Sequence, residues 1–338
     1  MKLGPFEIAH PFLLAPMAGI TDSPFRRLMK RHGCALVCSE LVSANGLFYG
    51  GEKTRSLLRF HEEERPIGLQ IFGEDAERLA QAARTIESLG ADFVDLNLGC
   101  PVPKVVKKGG GSAMCRDLVS LGHTLVKVVR AVNIPVTIKI RSGWDASSRN
   151  ALEVTRVAAA SGVTWVALHA RTRAQGYSGT ADWDLIGEVK ARSSIPVIGN
   201  GDITTPELGV LKMKQYGVDA VMIGRAALRN PFIFEQSRAL WFGEEVKRPA
   251  PEHYLRLIDE LNRLFMEFYP SRTALLQARK FLAWFSSGFS GCHEFRKKVF
   301  TIPEPDVLWE EARRFFAENT AVRDERTQAD GFLMGGHG

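Results

Sequence analysis

Between residues 12 and 223, eight short apolar or β-branched runs alternate with stretches of helical periodicity, and this alternation restricts the fold more than any other property of the chain. The runs are 12–17, 36–39, 67–72, 93–98, 136–140, 165–169, 197–199 and 220–223, and helices are expected over 25–32, 75–89, 118–132, 151–160, 183–191 and 206–216. Gly90, Gly162, Gly217 and the pairs Ile134-Pro135 and Ile195-Pro196 place turn residues just ahead of strands. Short buried strands separated by helices argue for a parallel sheet covered by helices. A doubly wound open sheet is the alternative, but Ala15-Pro16-Met17-Ala18-Gly19 stands where a dinucleotide fold would carry G-x-G-x-x-G. Eight units in about 225 residues match the size of a (β/α)8 TIM barrel.

After Asn230-Pro231-Phe232 the pattern changes, Pro249 and Pro251 mark a boundary, and helices are expected over 252–268, 271–285, 291–299 and 304–318. The expected organisation is an α/β barrel domain at 1–245, a small C-terminal helical-bundle domain at 246–320 and a flexible tail at 321–338. No apolar run reaches 18 residues and the N-terminus does not pair a basic region with an apolar stretch, so a cytoplasmic protein without a membrane partner is expected. The five cysteines include no pair at the two-residue spacing of a zinc or dithiol site; they read as free thiols, and no metal is expected. A net charge of +6 permits an acidic partner such as nucleic acid without demanding one.

In a barrel the working residues project from the C-terminal ends of the strands. Those ends carry Pro16-Met17-Ala18, Glu40, Gln70, Asn97 with Cys100, Lys139 with Arg141, His169 with Arg171, Asn200-Gly201-Asp202 and Gly224-Arg225. Glycines after the last two strands let backbone N–H groups approach a phosphate, and Arg225 can add a charge-assisted contact. Alternation sets Thr137, Lys139 and Arg141 on one face; if that face is the interior, Lys139 needs an anion, which a flavin offers. His169 reads as a contact to ligand phosphate or ring, or as a satisfied structural histidine. Gln70 reads either as a partner for a flavin's pyrimidine edge or as a polar cap.

Cys100 leaves its strand through Pro101-Val102-Pro103 and is followed by Gly109-Gly110-Gly111, a stiff start and a flexible finish suited to a loop that closes over substrate. The same loop carries Lys104, Lys107, Lys108 and Arg116, and Arg171 and Arg173 follow the sixth strand. Residues 272–298 hold Arg272, Arg279, Lys280, Arg296, Lys297 and Lys298 against Glu294 alone, so one helix face could meet a phosphate backbone. Phe281, Trp284, Phe285 and Phe289 have the spacing of a helical core rather than of a stacking platform.

LAPMAGITDSPFR (14–26), GLQIFG (68–73), DLNLGCPVPKVVKKGGGSAM (95–114), TIKIRSGW (137–144), LHARTRAQGYSG (168–179), GNGDI (199–203) and MIGRAALRNPFIF (222–234) together resemble the tRNA-dihydrouridine synthase family, closest to its bacterial B-type branch. The resemblance runs in order over roughly 11–235, and the helical tail is similar to the family's tRNA-binding domain. It implies FMN over the barrel mouth, NADPH as reductant and tRNA as substrate. The reaction implied is reduction of a D-loop uridine, hydride passing from flavin N5 to C6 and a proton from Cys100 to C5. It also implies that Pro16, Met17, Ala18, Gln70, Lys139, His169, Asn200, Gly201, Asp202, Gly224 and Arg225 hold FMN. Asn97 and Arg141 are then placed near the uridine, and Arg171, Lys104, Lys107 and Lys108 on the RNA side; a monomer is expected. Ala170 stands where the family often has glycine, which a negative φ tolerates. A dehydrogenase of free pyrimidines and an RNA-binding protein on a degenerate barrel are the rival readings.

Overall fold

All eight runs become strands of one parallel sheet in the computed structural model, which describes residues 1–318. A short antiparallel hairpin, β1 (Lys2–Leu3) and β2 (Phe6–Glu7), precedes them and was not expected from the sequence. The sheet strands are β3 (Phe12–Leu14), β4 (Val37–Ser43), β5 (Ile67–Phe72), β6 (Phe93–Leu98), β7 (Val136–Arg141), β8 (Val166–His169), β9 (Val197–Asn200) and β10 (Ala220–Ile223). Their order is β3-β10-β9-β8-β7-β6-β5-β4, so sequence neighbours pair from β4 to β10 and the last strand returns to the first.

The sheet curls until its end strands approach each other. Ala35 N–H donates to the Phe12 carbonyl (3.2 Å) and Leu14 N–H to that of Leu36 (3.1 Å). The regular ladder spans the other neighbouring pairs and stops at this seam, where the bonded residues 35 and 36 lie just before β4. The molecule therefore has the strand number, order and direction expected of a barrel, in a curled sheet whose ladder is interrupted once.

Alternation along the strands sends one set of side chains inward. Leu13, Ala15, Leu36, Phe93, Trp165, Ala167, Ile198, Ala220 and Met222 form an apolar floor with Leu3, Phe6 and Ile8 from the hairpin region. Phe93 fills this space so fully that a Cβ on Gly68 would lie 2.1 Å from its ring. Farther along the strands the buried inward groups become polar: Ser39, Gln70, Asp95 and Thr137.

Outside the sheet run α1 (Ser23–Arg31), α2 (Ala44–Phe48), α3 (Glu52–Ser56), α4 (Ala76–Ser88), α5 (Pro103–Val106), α6 (Leu118–Arg130), α7 (Ala151–Ala160), α8 (Trp183–Arg192), α9 (Pro206–Tyr216), α10 (Ala226–Arg229) and α11 (Ile233–Phe242). Asp22 caps α1 by accepting from Phe25 N–H, with Pro24 in the first turn, and Asp75 caps α4 in the same way. Helices α12 (Pro251–Phe268), α13 (Ser271–Phe285), α14 (Cys292–Thr301) and α15 (Pro305–Glu318) follow close to the expected ranges. Phe281, Trp284, Phe285 and Phe289 are all buried, as their spacing demanded. Helix α12 packs on α1 and α13 on α10, and Phe281 lies 5.0 Å from Phe25 across the contact between the helical region and the sheet domain. The expected tail at 321–338 lies outside the described residues.

Candidate active site

A chain of hydrogen bonds rises from the polar layer to Cys100. Thr137 Oγ1 and Gln70 Nε2 donate to the two oxygens of buried Asp95 (2.6 and 2.7 Å), and Asn97 Nδ2 donates to Gln70 Oε1 (2.8 Å). Asn97 Oδ1 then accepts from the N–H of Cys100 (2.8 Å) and of Gly99 (3.2 Å), which shapes the turn leaving β6. From the far side, Ser112 bonds the Cys100 carbonyl through N–H (3.2 Å) and Oγ (3.0 Å). Cys100 is the one cysteine that is not buried, and partial burial pushes its thiol above the ordinary range. A thiol in that state holds its proton at neutral pH.

Opposite stands an excess of positive charge. Lys139 Nζ donates to Asn200 Oδ1 (2.9 Å), a neutral acceptor, and Asn200 Nδ2 donates to the Met222 carbonyl (2.9 Å). Burial, with Arg141 adding to it, brings the Lys139 ammonium down to about 8. Arg225 lies over the Tyr177 ring (5.0 Å), as does Arg141 (5.4 Å). Among the described residues no carboxylate forms an ion pair with Lys139, Arg141 or Arg225. His169 is held neutral first by burial and then by Lys139, Arg141, Arg171 and Arg225. The N–H groups of Gly201, Asp202, Gly224 and Arg225 have no acceptor among the described residues. Gly201 has φ +125 and a Cβ there would lie 2.6 Å from that of Ala181, so only glycine fits. Unneutralised cations beside free amide donors suit a phosphate and a ring that gathers negative charge.

Pro16, Met17 and Ala18 complete the rim. Ile20 and Thr21 fold back on the Met17 carbonyl (3.1 and 3.0 Å), and Gly19 is held on both sides. Its N–H donates to Glu40, and its carbonyl accepts from Lys280 Nζ of α13 (2.9 Å). Tyr269, at the end of α12, donates to Asp22 (2.7 Å) below the same loop.

Several residues sit differently from the sequence expectation. Arg171 is not an RNA-facing cation: it is 3% exposed, forms a bidentate pair with Asp202 (2.8 and 2.9 Å) and donates to the carbonyls of Ser178 and Gly179. Arg141 is also buried, tying Gly99 beside Cys100 to the carbonyls of Thr172 and Gly176. The amide of Gln70 is already engaged at both ends. Lys104, Lys107 and Lys108 are exposed, as an RNA-facing role requires. The basic stretch of 272–298 does not make one charged face. Arg279 donates to the Ile302 carbonyl, Lys280 to Gly19 and buried Arg296 to the Ala283 carbonyl, while Glu311 of α15 pairs with Lys298. Sequence reasoning missed Asp95, Tyr177, Tyr269 and the Glu40–Gly19 link; only the D-L-N alternation of 95–97 signalled any of them.

Among the described residues no three His, Cys, Asp or Glu side chains gather as a metal site requires, and no helix is long and apolar enough to cross a membrane. A curled parallel α/β sheet that sets a half-buried thiol after β6 and cations without carboxylate partners on β7 and after β10 has the layout of an enzyme whose site lies at its C-terminal rim. The chain belongs to the dihydrouridine synthase family, whose sequence profile matches residues 13–320, and is thereby a flavin-dependent oxidoreductase. It is 40% identical over 320 residues to the tRNA-dihydrouridine synthase B of Pseudomonas aeruginosa, covering 94% of this chain and 96% of that one. The probable tRNA-dihydrouridine synthase of Rickettsia conorii is 37% identical over 320 residues, with 94% and 96% covered. Among solved structures, histamine dehydrogenase from Rhizobium sp. 4-9 aligns with TM-score 0.56 at 14% identity over 95% of this chain and 64% of that one. Mandelate oxidase aligns with TM-score 0.50 at 16% identity over 72% and 77%. Both share the fold alone.

Proposed function

We propose that this protein reduces the C5=C6 bond of a D-loop uridine in tRNA to 5,6-dihydrouridine, with NADPH as reductant and Cys100 as the proton donor. The observation that carries the reading is Cys100 itself: a half-buried thiol, protonated at neutral pH, fixed by Asn97 and Ser112 at a strand end that faces cations without carboxylate partners. Bound FMN supplies hydride to C6 of the uracil. Lys139, His169, Arg225 and the amides of residues 201, 202, 224 and 225 would hold that cofactor, with Pro16, Met17 and Ala18 along its edge and Gln70 and Asn200 at its ring end. Asp202 contributes its backbone, since its carboxylate is bound to Arg171.

Protonation at C5 completes the reduction. Charge left on C5 and O4 after hydride addition makes C5 basic, and the Cys100 S–H gives its proton there. Asn97 fixes the turn and Arg141 braces Gly99 against the 172–176 loop, so both act near the uridine by placing Cys100. A target base must leave its stack to reach the thiol, at a cost of a few kcal/mol. Contacts of Lys104, Lys107 and Lys108 with RNA phosphates offset that cost. The sheet closes as a (β/α)8 barrel at the β3–β4 seam in this reading, with a catalytic domain over 1–245, a helical tRNA-binding domain from 246 to 320 and a cytoplasmic, monomeric enzyme.

The test is anaerobic single turnover: reduced protein is mixed with unmodified tRNA, flavin reoxidation is followed, and dihydrouridine is mapped. Wild type is expected to reoxidise, and Cys100→Ala to do so at least about 100-fold more slowly while still binding tRNA. Equal rates remove Cys100 from its role. Reoxidation by free uracil or orotate, without tRNA, would replace the substrate assigned here.

A further inference from the structure

Two of the most exposed aromatic side chains in the described residues stand together. Phe48 is 50% and Tyr49 72% exposed, their rings meet edge to face at 5.2 Å, and they end α2 just beyond the C-terminal end of β4. Burial cannot explain two large rings in water. Instead Arg78 of α4 lies over both, 5.1 Å from the Phe48 centroid and 5.5 Å from that of Tyr49. Its guanidinium is aimed there by Asn45, which accepts from it at 2.8 Å and itself donates to Glu74 at 2.8 Å.

The Cys100 loop adjoins this cluster. A methyl group added to Gly109 would lie 3.6 Å from Glu74 Cβ, and one added to Gly110 3.1 Å from the Gly73 carbonyl oxygen. The exposed Lys107 and Lys108 immediately precede these glycines, and no ion pair is formed by either among the described residues. Three described carboxylates nearby are engaged: Asp75 caps α4, Glu74 accepts from Asn45 and Glu77 pairs with Lys127. The patch thus combines π-faces, an arginine plane and free ammonium groups on the side of the molecule that holds the reactive thiol. Unstacked bases on a phosphate backbone match that combination, because every base has a π-face and every link a negative charge. An acidic protein partner would satisfy the lysines but leave the rings unmatched.

We propose that Phe48, Tyr49 and Arg78 form a stacking site for an unpaired nucleotide of the RNA substrate, beside the base that enters the mouth. This rests on the RNA-reducing function proposed above and extends it to a second nucleotide. The stacked base would sit next to the one drawn toward Cys100 and hold the opened strand while chemistry proceeds.

The test measures equilibrium binding of unmodified tRNA, across a salt series, to wild type, to a Phe48→Ala/Tyr49→Ala chain and to Phe242→Ala, which removes an exposed ring on α11. The double variant is expected to bind about tenfold more weakly with an unchanged salt slope, since uncharged rings have been removed. Phe242→Ala is expected to match wild type. A Tyr49→Trp chain adds a direct reporter: single-stranded oligouridylate should quench its added indole emission, and a duplex of the same length should not. Unchanged affinity in the double variant, a loss that alters the salt slope, or indole emission that bound oligouridylate leaves unquenched would overturn the stacking site. If wild type binds RNA through these rings but reduces no uridine, the function fails and the binding site stands. Reduction of uridine with no contribution from the rings removes the stacking site and leaves the function in place.

Discussion

Lys139 carries its charge where water has been mostly replaced by protein, with a neutral amide as its hydrogen-bond partner. Its ammonium titrates near 8 in the ligand-free chain, so a bound anion must raise that value, and affinity for the anion must fall as pH passes above it. The dissociation constant of FMN is therefore expected to grow above pH about 8, and Lys139→Met to bind more weakly with that rise abolished. Flavin titration by fluorescence at several pH values reads both effects. Strand alternation set Lys139 on one face with Thr137 and Arg141, and its need for a partner was legible if that face was the interior; Gln70 and Asn97 were legible only as strand-end residues. What each partner would be was not. Arg171 reads in the sequence as one more surface cation after a strand, and only the fold brings Asp202, thirty-one residues later, under its guanidinium.

At the scale of elements, the loop between β3 and α1 shows how the helical region reaches the rim. Lys280 of α13 and Glu40 of β4 grip Gly19 from opposite sides, while Tyr269 bonds the Asp22 cap. Removing the ammonium in Lys280→Met deletes one hydrogen bond worth about 1 kcal/mol to the loop, so FMN should dissociate about fivefold more readily from an otherwise folded chain. Retained flavin after gel filtration and a dissociation constant by titration check this; unchanged retention would mean that the loop keeps its shape without α13. Periodicity made most of the long helices readable almost residue for residue, the exception being the ten-residue α11 after Asn230-Pro231-Phe232. It could not reveal α2, α3, α5 or α10, which span five residues or fewer and carry no full amphipathic repeat. The basic stretch of α13 and α14 misled for a related reason: residues one turn apart share a face, but only tertiary contacts decide whether that face meets water.

For the whole molecule, acid should be a specific stress. His10 is 2% exposed, its Nδ1 accepts from Phe12 N–H, and burial lowers it from 6.5 to about 4. A histidine with a depressed folded-state value contributes its full stability above 6.5, and that contribution is lost as pH falls toward 4, because the unfolded chain takes the proton first. The loss is about 3 kcal/mol over that window. Urea midpoints of the flavin-free protein should drop accordingly between pH about 7 and about 4.5, and by less in His10→Gln. A buried histidine two residues before a strand gives no sign in the sequence of whether its neighbours will let it ionise.

The hairpin at the start of the chain gives the sheet a stopper. Leu3, Phe6 and Ile8 pack with Phe93 and Trp165 in one buried apolar floor. A vessel with a packed floor is filled from its rim, the end where the strands carry their polar and charged residues. Under the function proposed above, the electron donor and the RNA would then take turns at the rim.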